Sequence, residues 1–336
     1  MIPLRVGICI IEYTRMKLTL PKLLEDICDD GSMQFVVIDM NKNLHDQGPF
    51  DVIIHKILEW YNQGDDVGNA KLMKLMNYVR SCVPQPKMID SITETVNLAD
   101  RFYSMEVMKA CEFTMKGIKV FVPRFALLEK TNSENVMDLV NKSGINFPII
   151  TKPPVTRCDA EAHDMSIIFS EKNVSDIMSP CVIQEFVNHG SMLYKVAAVG
   201  QQMYICERPS VKNLKSGLER TVYFDSMTVS KRNVHNVDLH DKNPQFMKFR
   251  TSVSECNVQT LLDEDIVKEI LCRITNKIDL TLFGIDIIVE ENTGNYGLID
   301  LNYMPSYDGV LTYFAEDLYQ KLQHINGERV RNNIDA

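Results

Sequence analysis

The stretch "GIDIIVEENTGNYGLIDLNYMP" (residues 284–305) places three polar side chains on a predicted hairpin that is otherwise apolar. Symmetric pairing about the turn "ENTGN" sets Asp286 directly opposite Asp300. Asn302 lies two residues further along the second strand, and therefore on the same face. Two carboxylates ~5 Å apart repel each other by roughly 3 kcal/mol at an effective dielectric constant of about 20. The hairpin therefore needs a group that offsets this repulsion.

Two arrangements would offset the repulsion between the aspartates. A divalent cation is one, because carboxylate and amide oxygens suit Mg²⁺ or Mn²⁺ that also keeps waters and substrate phosphates. In the other, one aspartate points outward and its partner pairs with a lysine or arginine. The sequence favours the metal, and normal turnover in an Asp300→Ala variant would contradict that assignment.

Composition limits the classes of protein to which the chain can belong. Its 336 residues suggest about two domains, and 45% hydrophobic with 24% charged residues is ordinary for a globular enzyme. The net charge of −9 argues against a nucleic-acid partner. No apolar run reaches the roughly 18 residues of a membrane span, and the N-terminus resembles a strand rather than a signal peptide. Nine scattered cysteines without a C-x-x-C pair predict free thiols, no structural zinc and a cytoplasmic location. We also expect a monomer.

The N-terminal part alternates strands with helices. "LRVGICII", "QFVVIDM" and "DVIIHKIL" are rich in Val and Ile, which predicts a parallel sheet with right-handed crossovers. Ligands bind beyond the carboxyl ends of such strands. The basic residues there are therefore candidate ligands, with plain surface charge as the alternative: Arg15 and Lys17 after the first strand, and His55 and Lys56 after the third.

The remaining chain predicts two smaller α+β units. We expect an N-terminal α/β domain over 1–115, a central subdomain over 116–190 and a C-terminal subdomain with the metal site over 191–336. A helix is predicted over 97–113 and a long loop over 226–258. The basic stretch "RPSVKNLKSGLER" (208–220) predicts either a solvated loop or an anion site.

Nucleotide-binding motifs of the P-loop and protein-kinase types are missing from the sequence. Phosphates could instead be held by lysines on strands, Lys152 in "FPIITK" and Lys195 in "LYKVAAVG", beside the strand "CVIQEFV". Together with the D…D-x-N pattern of Asp286, Asp300 and Asn302, these strand lysines resemble the arrangement in the ATP-grasp fold. More narrowly, "DVIIHK", "QEFVNHGSMLYKV", "ERPSVKN" and "IDLNYMPSYDGV" resemble the inositol 1,3,4-trisphosphate 5/6-kinase family, over residues 5 to about 325.

The resemblance implies ATP and Mg²⁺ as cofactors and a role for each matching residue. Positions matching the family's ATP contacts are Arg101, Lys152, the stretch with Gln184, Glu185, Val187 and Lys195, then Ser210, Ser226, Ser230 and Asp286. Magnesium ligands are Asp286, Asp300 and Asn302. Positions assigned to the inositol phosphate are Lys56, His163, His189, Lys195, Arg208, Asn302 and Gly309. Lys152, His163 and Lys195 are the expected catalytic residues. Without the resemblance, His163 and His189 would be taken as ordinary polar-loop histidines.

The chain departs from the family in three places, one of which is Ser306 in "MPSYDG", where the family usually has Gly. The family's substrate-binding lysine after the first strand aligns with Thr14, so Arg15 or Lys17 would substitute for it. The loop "PPVTRCDAEA" (153–162) lacks the family's His-Gly pair, so the sequence does not identify which ring hydroxyl is phosphorylated. We therefore expect a kinase of soluble inositol polyphosphates that can also run in reverse. The alternatives are an ATP-grasp carboxylate–amine ligase and a non-catalytic inositol phosphate sensor, although a sensor would need no metal ligands.

Overall fold

The computed structural model describes residues 3–10, 15–60, 66–130, 133–155, 163–200, 202–215, 220–229, 262–305 and 311–334. Its first sheet is entirely parallel, in the order β2-β1-β3-β4, as predicted. The strands are β1 (Leu4–Cys9), β2 (Met33–Val37), β3 (Val52–His55) and β4 (Lys87–Ile89). The helices that accompany them are α1 (Arg15–Ile27), α2 (Asp66–Ser81), α3 (Ile92–Asn97) and α4 (Arg101–Lys109).

The helix predicted over 97–113 is two helices, α3 and α4. Asp100 is the reason, because its carboxylate accepts the backbone N–H groups of Phe102 and Tyr103 at 2.8 and 3.2 Å. An N-cap residue of this kind holds an extended backbone and starts a new helix. The capped helix places Arg101 at its first position, where the side chain is buried.

Two further sheets carry the rest of the chain. The central sheet is antiparallel, in the order β13-β9-β8-β10-β7. Its strands are β7 (Phe125–Leu128), β8 (Ile149–Lys152), β9 (Asp164–Ile168), β10 (Cys181–Glu185) and β13 (Val222–Asp225), with α5 (Ser133–Ser143) beside β7. The third sheet has the order β12-β11-β14-β15-β6-β5. Its strands are β5 (Phe113–Met115), β6 (Ile118–Phe121), β11 (Met192–Val199), β12 (Gln202–Pro209), β14 (Leu282–Val289) and β15 (Tyr296–Tyr303).

Three α-helices complete the described chain, which also contains 3-10 helices at Ile57–Glu59 and Glu171–Asp176. The three α-helices are α6 (Ser226–Val229), α7 (Glu264–Ile278) and α8 (Leu311–Ile334). The predicted loop over 226–258 is therefore wrong at its first four residues, which are helical, and the rest of it lies outside the described residues. The apolar face of α7 is buried in the main core, and its first turn is capped by Asp263. None of the helices in these ranges is long and apolar enough to cross a membrane.

The sheets share strands across the predicted boundaries near residues 115 and 190. Strands β5 and β6, on either side of the first boundary, belong to the third sheet. Strand β13 follows the second boundary in the chain but extends the central sheet through β9. The division into three domains stays a prediction. The two sheets together enclose the cleft that contains most of the candidate site residues.

Candidate active site

The β14–β15 hairpin has the predicted register at its polar end. Asp286 pairs with Asp300, and Gly284 pairs with Asn302. A side chain at position 284 would crowd Pro305, because a Cβ atom there would lie 3.0 Å from Cγ of that proline. The glycine thus lets the chain after β15 pass close beside the polar residues.

A β-bulge lies directly beside these aspartates. The register shifts after Asp286, so that Ile287 pairs with Leu298 and Ile299 is the extra residue of β15. The backbone carbonyl of Ile299 accepts a hydrogen bond from Nζ of Lys152, at 2.9 Å. The bulge, which simple symmetric pairing does not predict, therefore positions a lysine from the central sheet over the hairpin.

Both aspartates are paired with cations. Lys195 Nζ lies 3.1 Å from Oδ2 of Asp286, and Arg101 Nη1 lies 3.1 Å from Oδ1 of Asp300. Asn302 donates its side-chain N–H to the second carboxylate oxygen of Asp300 at 2.9 Å. The structure thus combines features of both interpretations of the sequence. The carboxylates face each other across the strands, as metal binding requires, and each also has a basic partner.

The burial of these charges shifts their pKa values in opposite directions. Burial raises the pKa of Asp286, which Lys195 only partly offsets. Burial acts in the same sense on Asp300, but Arg101 and Lys152 outweigh it, so the pKa of Asp300 lies below its ordinary value. Burial lowers the pKa of Lys152 to about 8, whereas the Asp286 carboxylate raises that of Lys195. Opposite charges therefore outweigh burial at Asp300 and Lys195 and fall short of it at the other two residues.

The cleft between the two sheets has a volume of about 500 Å³ and two unlike ends. We call the first the polar end: it is lined by Lys152, Lys195, Asp286, Asp300 and Asn302, with Arg101 and Lys56. The second we call the apolar end: it is lined by Ile150, Met165, Val211, Phe224 and Val229. A nucleotide has the same division between an aromatic base and charged phosphates, so the cleft can accommodate one.

The segment after β10 also lines the cleft. His189 is buried there, and both of its ring nitrogens are hydrogen-bonded: Nδ1 lies 2.7 Å from the carbonyl oxygen of Val187, and Nε2 lies 2.7 Å from Oγ of Ser210. Burial lowers the pKa of His189, which favours the neutral ring that donates to the carbonyl and accepts from the serine. His189 thus fixes two predicted ATP-contact residues.

The structure brings most of the predicted site residues together. Those in the cleft wall are Lys56, Arg101, Lys152, His163, Gln184, Glu185, Val187, His189, Lys195, Ser210, Ser226, Asp286, Asp300 and Asn302. His163 and Ser226 also contact each other, with Nδ1 and Oγ 3.3 Å apart. Of the described residues in the basic stretch 208–220, Pro209, Ser210 and Val211 line the cleft, and none of the basic residues does.

A few predicted residues are placed elsewhere or not described. Arg208 does not line the cleft, although its charge is near enough to lower the pKa of Lys195. Ser230 and Gly309 lie outside the described residues, and so do the side chains of Arg15 and Lys17 at the start of α1. His55, considered beside Lys56, is buried and takes no part in the cleft wall.

The apolar end of the cleft and one tyrosine at the polar end were not predicted from the sequence. Ile150 and Phe224 belong to strands whose alternation predicts a core, and nothing in that pattern distinguishes a cleft wall from packed interior. Tyr303 follows Asn302 and also lines the cleft. Its position directly after a predicted metal ligand is the feature of the sequence that could have identified it.

The polar end fits a magnesium ion that shares its coordination with phosphate. Within the described ranges, no group of three or more His, Cys, Asp or Glu side chains could hold a metal ion. Two carboxylates and one amide are hard oxygen donors, and a set this small suits Mg²⁺, which usually keeps waters and phosphate oxygens as its other ligands. The side chains present are thus compatible with the ion.

Comparison with known proteins identifies the family. The model of the inositol 1,3,4-trisphosphate 5/6-kinase ATP-grasp domain matches residues 114–323, and that of the same family's pre-ATP-grasp domain matches residues 5–92. The chain belongs to the inositol 1,3,4-trisphosphate 5/6-kinase family. It is therefore an ATP-dependent inositol phosphate kinase, and the predicted enzyme class is confirmed.

Relatives and solved structures agree with this family. Inositol-tetrakisphosphate 1-kinase of Danio rerio is 30% identical over 336 residues, covering 98% of this chain and 81% of the relative. The enzyme of the same name from Xenopus laevis is 29% identical, covering 93% of this chain and 76% of that one. The solved ATP-grasp ligase PsnB, at 11% identity, covers 96% of this chain and 100% of its own with a TM-score of 0.56. This last likeness confirms the ATP-grasp fold.

Proposed function

We propose that this kinase transfers the γ-phosphoryl group of ATP to soluble inositol tris- and tetrakisphosphates, of the 1,3,4-trisphosphate and 3,4,5,6-tetrakisphosphate kinds. The observation that supports this most directly is the pair of cross-strand aspartates, each with a basic partner, at the polar end of the cleft. The base of ATP would occupy the apolar end. Its phosphates would then point toward Lys152 and Lys195.

The side chains of the polar end have separate roles in this proposal. Lys195, which is partly exposed and reaches Asp286, neutralises charge on the transferring group together with Lys152. Arg101 keeps Asp300 ionised through their ion pair. Phosphoryl transfer depends mainly on alignment and charge stabilisation, so the site needs no strongly basic residue. His163 and Lys56 would contact the phosphates of the acceptor.

Asp286, Asp300 and Asn302 would hold magnesium at the polar end. When bound, the ion would supply positive charge that stabilises the phosphoryl group during transfer. The strand pairing places the two carboxylates face to face, and Arg101 pairs with Asp300 while Lys195 pairs with Asp286.

The test is an assay of the purified protein with Mg²⁺, ATP and a panel of inositol tris- and tetrakisphosphates, with products resolved by isomer. We expect turnover on at least one acceptor and a loss of at least about 10²-fold in kcat for Asp300→Ala. Asp265→Ala is the matched control, since Asp265 pairs with Lys116 outside the cleft. Equal rates in both variants would contradict the metal assignment.

The same assay separates the ligase alternative. A carboxylate–amine ligase releases ADP only when a carboxylate substrate is present, and it does not phosphorylate an inositol ring. ATP binding without turnover of any inositol phosphate would favour that alternative. Incubating the labelled product with ADP tests the reverse reaction, which we expect to return ATP and to interconvert acceptor isomers.

We further propose a monomer in the cytoplasm. Seven cysteines in the described ranges carry free thiols, which suits a reducing compartment. Sedimentation of the purified protein at several concentrations tests the monomer, which a concentration-dependent mass would contradict.

A further inference from the structure

A buried polar junction joins the N-terminal sheet to the hairpin at the polar end. The Tyr303 hydroxyl, at the end of β15, donates to the backbone carbonyl of His55 at the end of β3, at 2.7 Å. The N–H of Asp90 donates to the same hydroxyl at 3.3 Å. His55, Asp90 and Tyr303 are each no more than 5% exposed, so water does not compete for these bonds.

Asp90 ties the other strand of the hairpin to the same junction. Its carboxylate oxygens accept the backbone N–H groups of Thr281 and Leu282, at the start of β14, at 2.7 and 2.8 Å. Its own carbonyl oxygen lies 2.7 Å from Nε2 of His55. Both strands that hold the predicted metal ligands are thus bonded to the carboxyl edge of the N-terminal sheet.

The junction lies between two residues of the cleft. Lys56 follows His55, and Asn302 precedes Tyr303. Within the described part of the N-terminal sheet and its connections up to residue 92, Lys56 and Leu58 are the residues that line the cleft. The Tyr303 hydroxyl therefore sets the separation between a cation of the N-terminal sheet and the polar end of the hairpin.

We infer that Tyr303 is a positioning residue for the acceptor, holding Lys56 at the distance from Asn302 that an inositol polyphosphate needs. The inference rests on the proposed function and extends it. ATP would be held by the central and third sheets, whose strands the junction does not join to each other. Loss of the hydroxyl should therefore weaken acceptor binding and leave ATP binding unchanged.

The test compares Tyr303→Phe with Tyr296→Phe. Tyr296 lies at the opposite end of β15, where its buried hydroxyl accepts the N–H of Asp263 at 2.9 Å. Both variants lose one hydroxyl from the same strand, so a general loss of stability would affect both. We expect Tyr303→Phe to raise the acceptor KM about fivefold to tenfold, with kcat and the ATP KM within about twofold of wild type. A fall in kcat at unchanged acceptor KM, or an equal effect in Tyr296→Phe, would overturn the inference.

A double-mutant cycle with Lys56→Met tests whether Tyr303 affects acceptor binding through Lys56. If Tyr303 acts through Lys56, the double variant should have the acceptor affinity of Lys56→Met alone. Additive effects would overturn the inference.

Calorimetric titration of an inositol tetrakisphosphate into each variant gives the same comparison without turnover. If wild type binds the acceptor but transfers no phosphate, the proposed kinase function fails while the positioning role is still decided. Absence of acceptor binding to wild type overturns both.

Discussion

The two ends of the cleft differ in how their side chains are held. At the polar end, charged groups from five elements of the chain are held by ion pairs or a hydrogen bond: Lys152 bonds to the Ile299 carbonyl, Lys195 pairs with Asp286 and Arg101 pairs with Asp300. At the apolar end, strand residues such as Ile150 and Phe224 belong to the packing of the central sheet. Changes at the polar end should therefore affect catalysis, and changes at the apolar end should affect nucleotide affinity.

The largest expected effect is at Lys195. We expect Lys195→Met to lower kcat by about 10³-fold, because the variant removes a phosphate-facing charge and leaves the buried Asp286 without its ion-pair partner. Lys195→Arg, which keeps the charge, should recover part of the loss. Lys268→Met on α7, where Lys268 pairs with Glu264 on the surface, is the control. Steady-state kinetics with saturating ATP and acceptor measure the difference. A loss below tenfold would mean that the polar end does not carry the chemistry.

The next effect concerns the pH dependence of the protein's stability, through His55, which is buried next to the polar end of the cleft. Burial lowers the pKa of His55 to about 4, against 6.5 in the unfolded chain. Below pH 6.5 the unfolded state therefore binds more protons than the folded state, so stability is complete above that pH and falls as the pH drops toward 4. The predicted loss is about 2 kcal/mol between pH 7 and pH 5.

Urea unfolding at these two pH values measures the effect. The reference variant is His55→Gln, whose amide can still donate to the Asp90 carbonyl but does not titrate. The difference in pH dependence between the two proteins gives the contribution of His55 to stability, because the titrating carboxylates are the same in both. Parallel pH profiles for wild type and variant would show that His55 is not held neutral by the fold.

A smaller effect is expected at the apolar end. Ile150→Ala should raise the ATP KM about fivefold to tenfold, because its side chain lines the cleft and burying an isoleucine side chain contributes about 1.5–3 kcal/mol. The value of kcat should stay within about twofold. Ile205→Ala on β12, which is 37% exposed outside the cleft, serves as the control. A lower kcat in Ile150→Ala would remove the functional distinction between the two ends.

The polar end was predictable from sequence because a charge among apolar strand residues is conspicuous. Asp286 and Asp300 followed from alternation and turn symmetry, and their pairing is confirmed. The bulge at Ile299 was not predictable, because symmetric pairing about the turn gives no signal for an extra residue in β15. The division of residues 97–113 into two helices depends on the cap at Asp100, which the prediction of one continuous helix did not take into account. The apolar end was hidden because Ile150 and Phe224 belong to strands that resemble ordinary core.

The smallest effect is expected at Gln184, on the strand that passes between the two ends. Its side chain is 1% exposed, and among the described residues its Nε2 atom has no hydrogen-bond partner. A buried donor without a partner costs free energy, so Gln184→Leu should stabilise the ATP-free protein by about 1 kcal/mol. Gln202→Leu, at an exposed position of β12, controls for the general effect of the substitution.

Saturating ATP sharpens the same comparison. If the nucleotide supplies the missing partner to Gln184, ATP should stabilise wild type more than it stabilises Gln184→Leu, and the advantage of the variant should shrink. Thermal unfolding of both proteins with and without ATP measures this. An advantage that ATP leaves unchanged would place Gln184 in the core of the central sheet alone, outside nucleotide recognition. A variant less stable than wild type without ATP would mean that the amide has a partner in the folded chain.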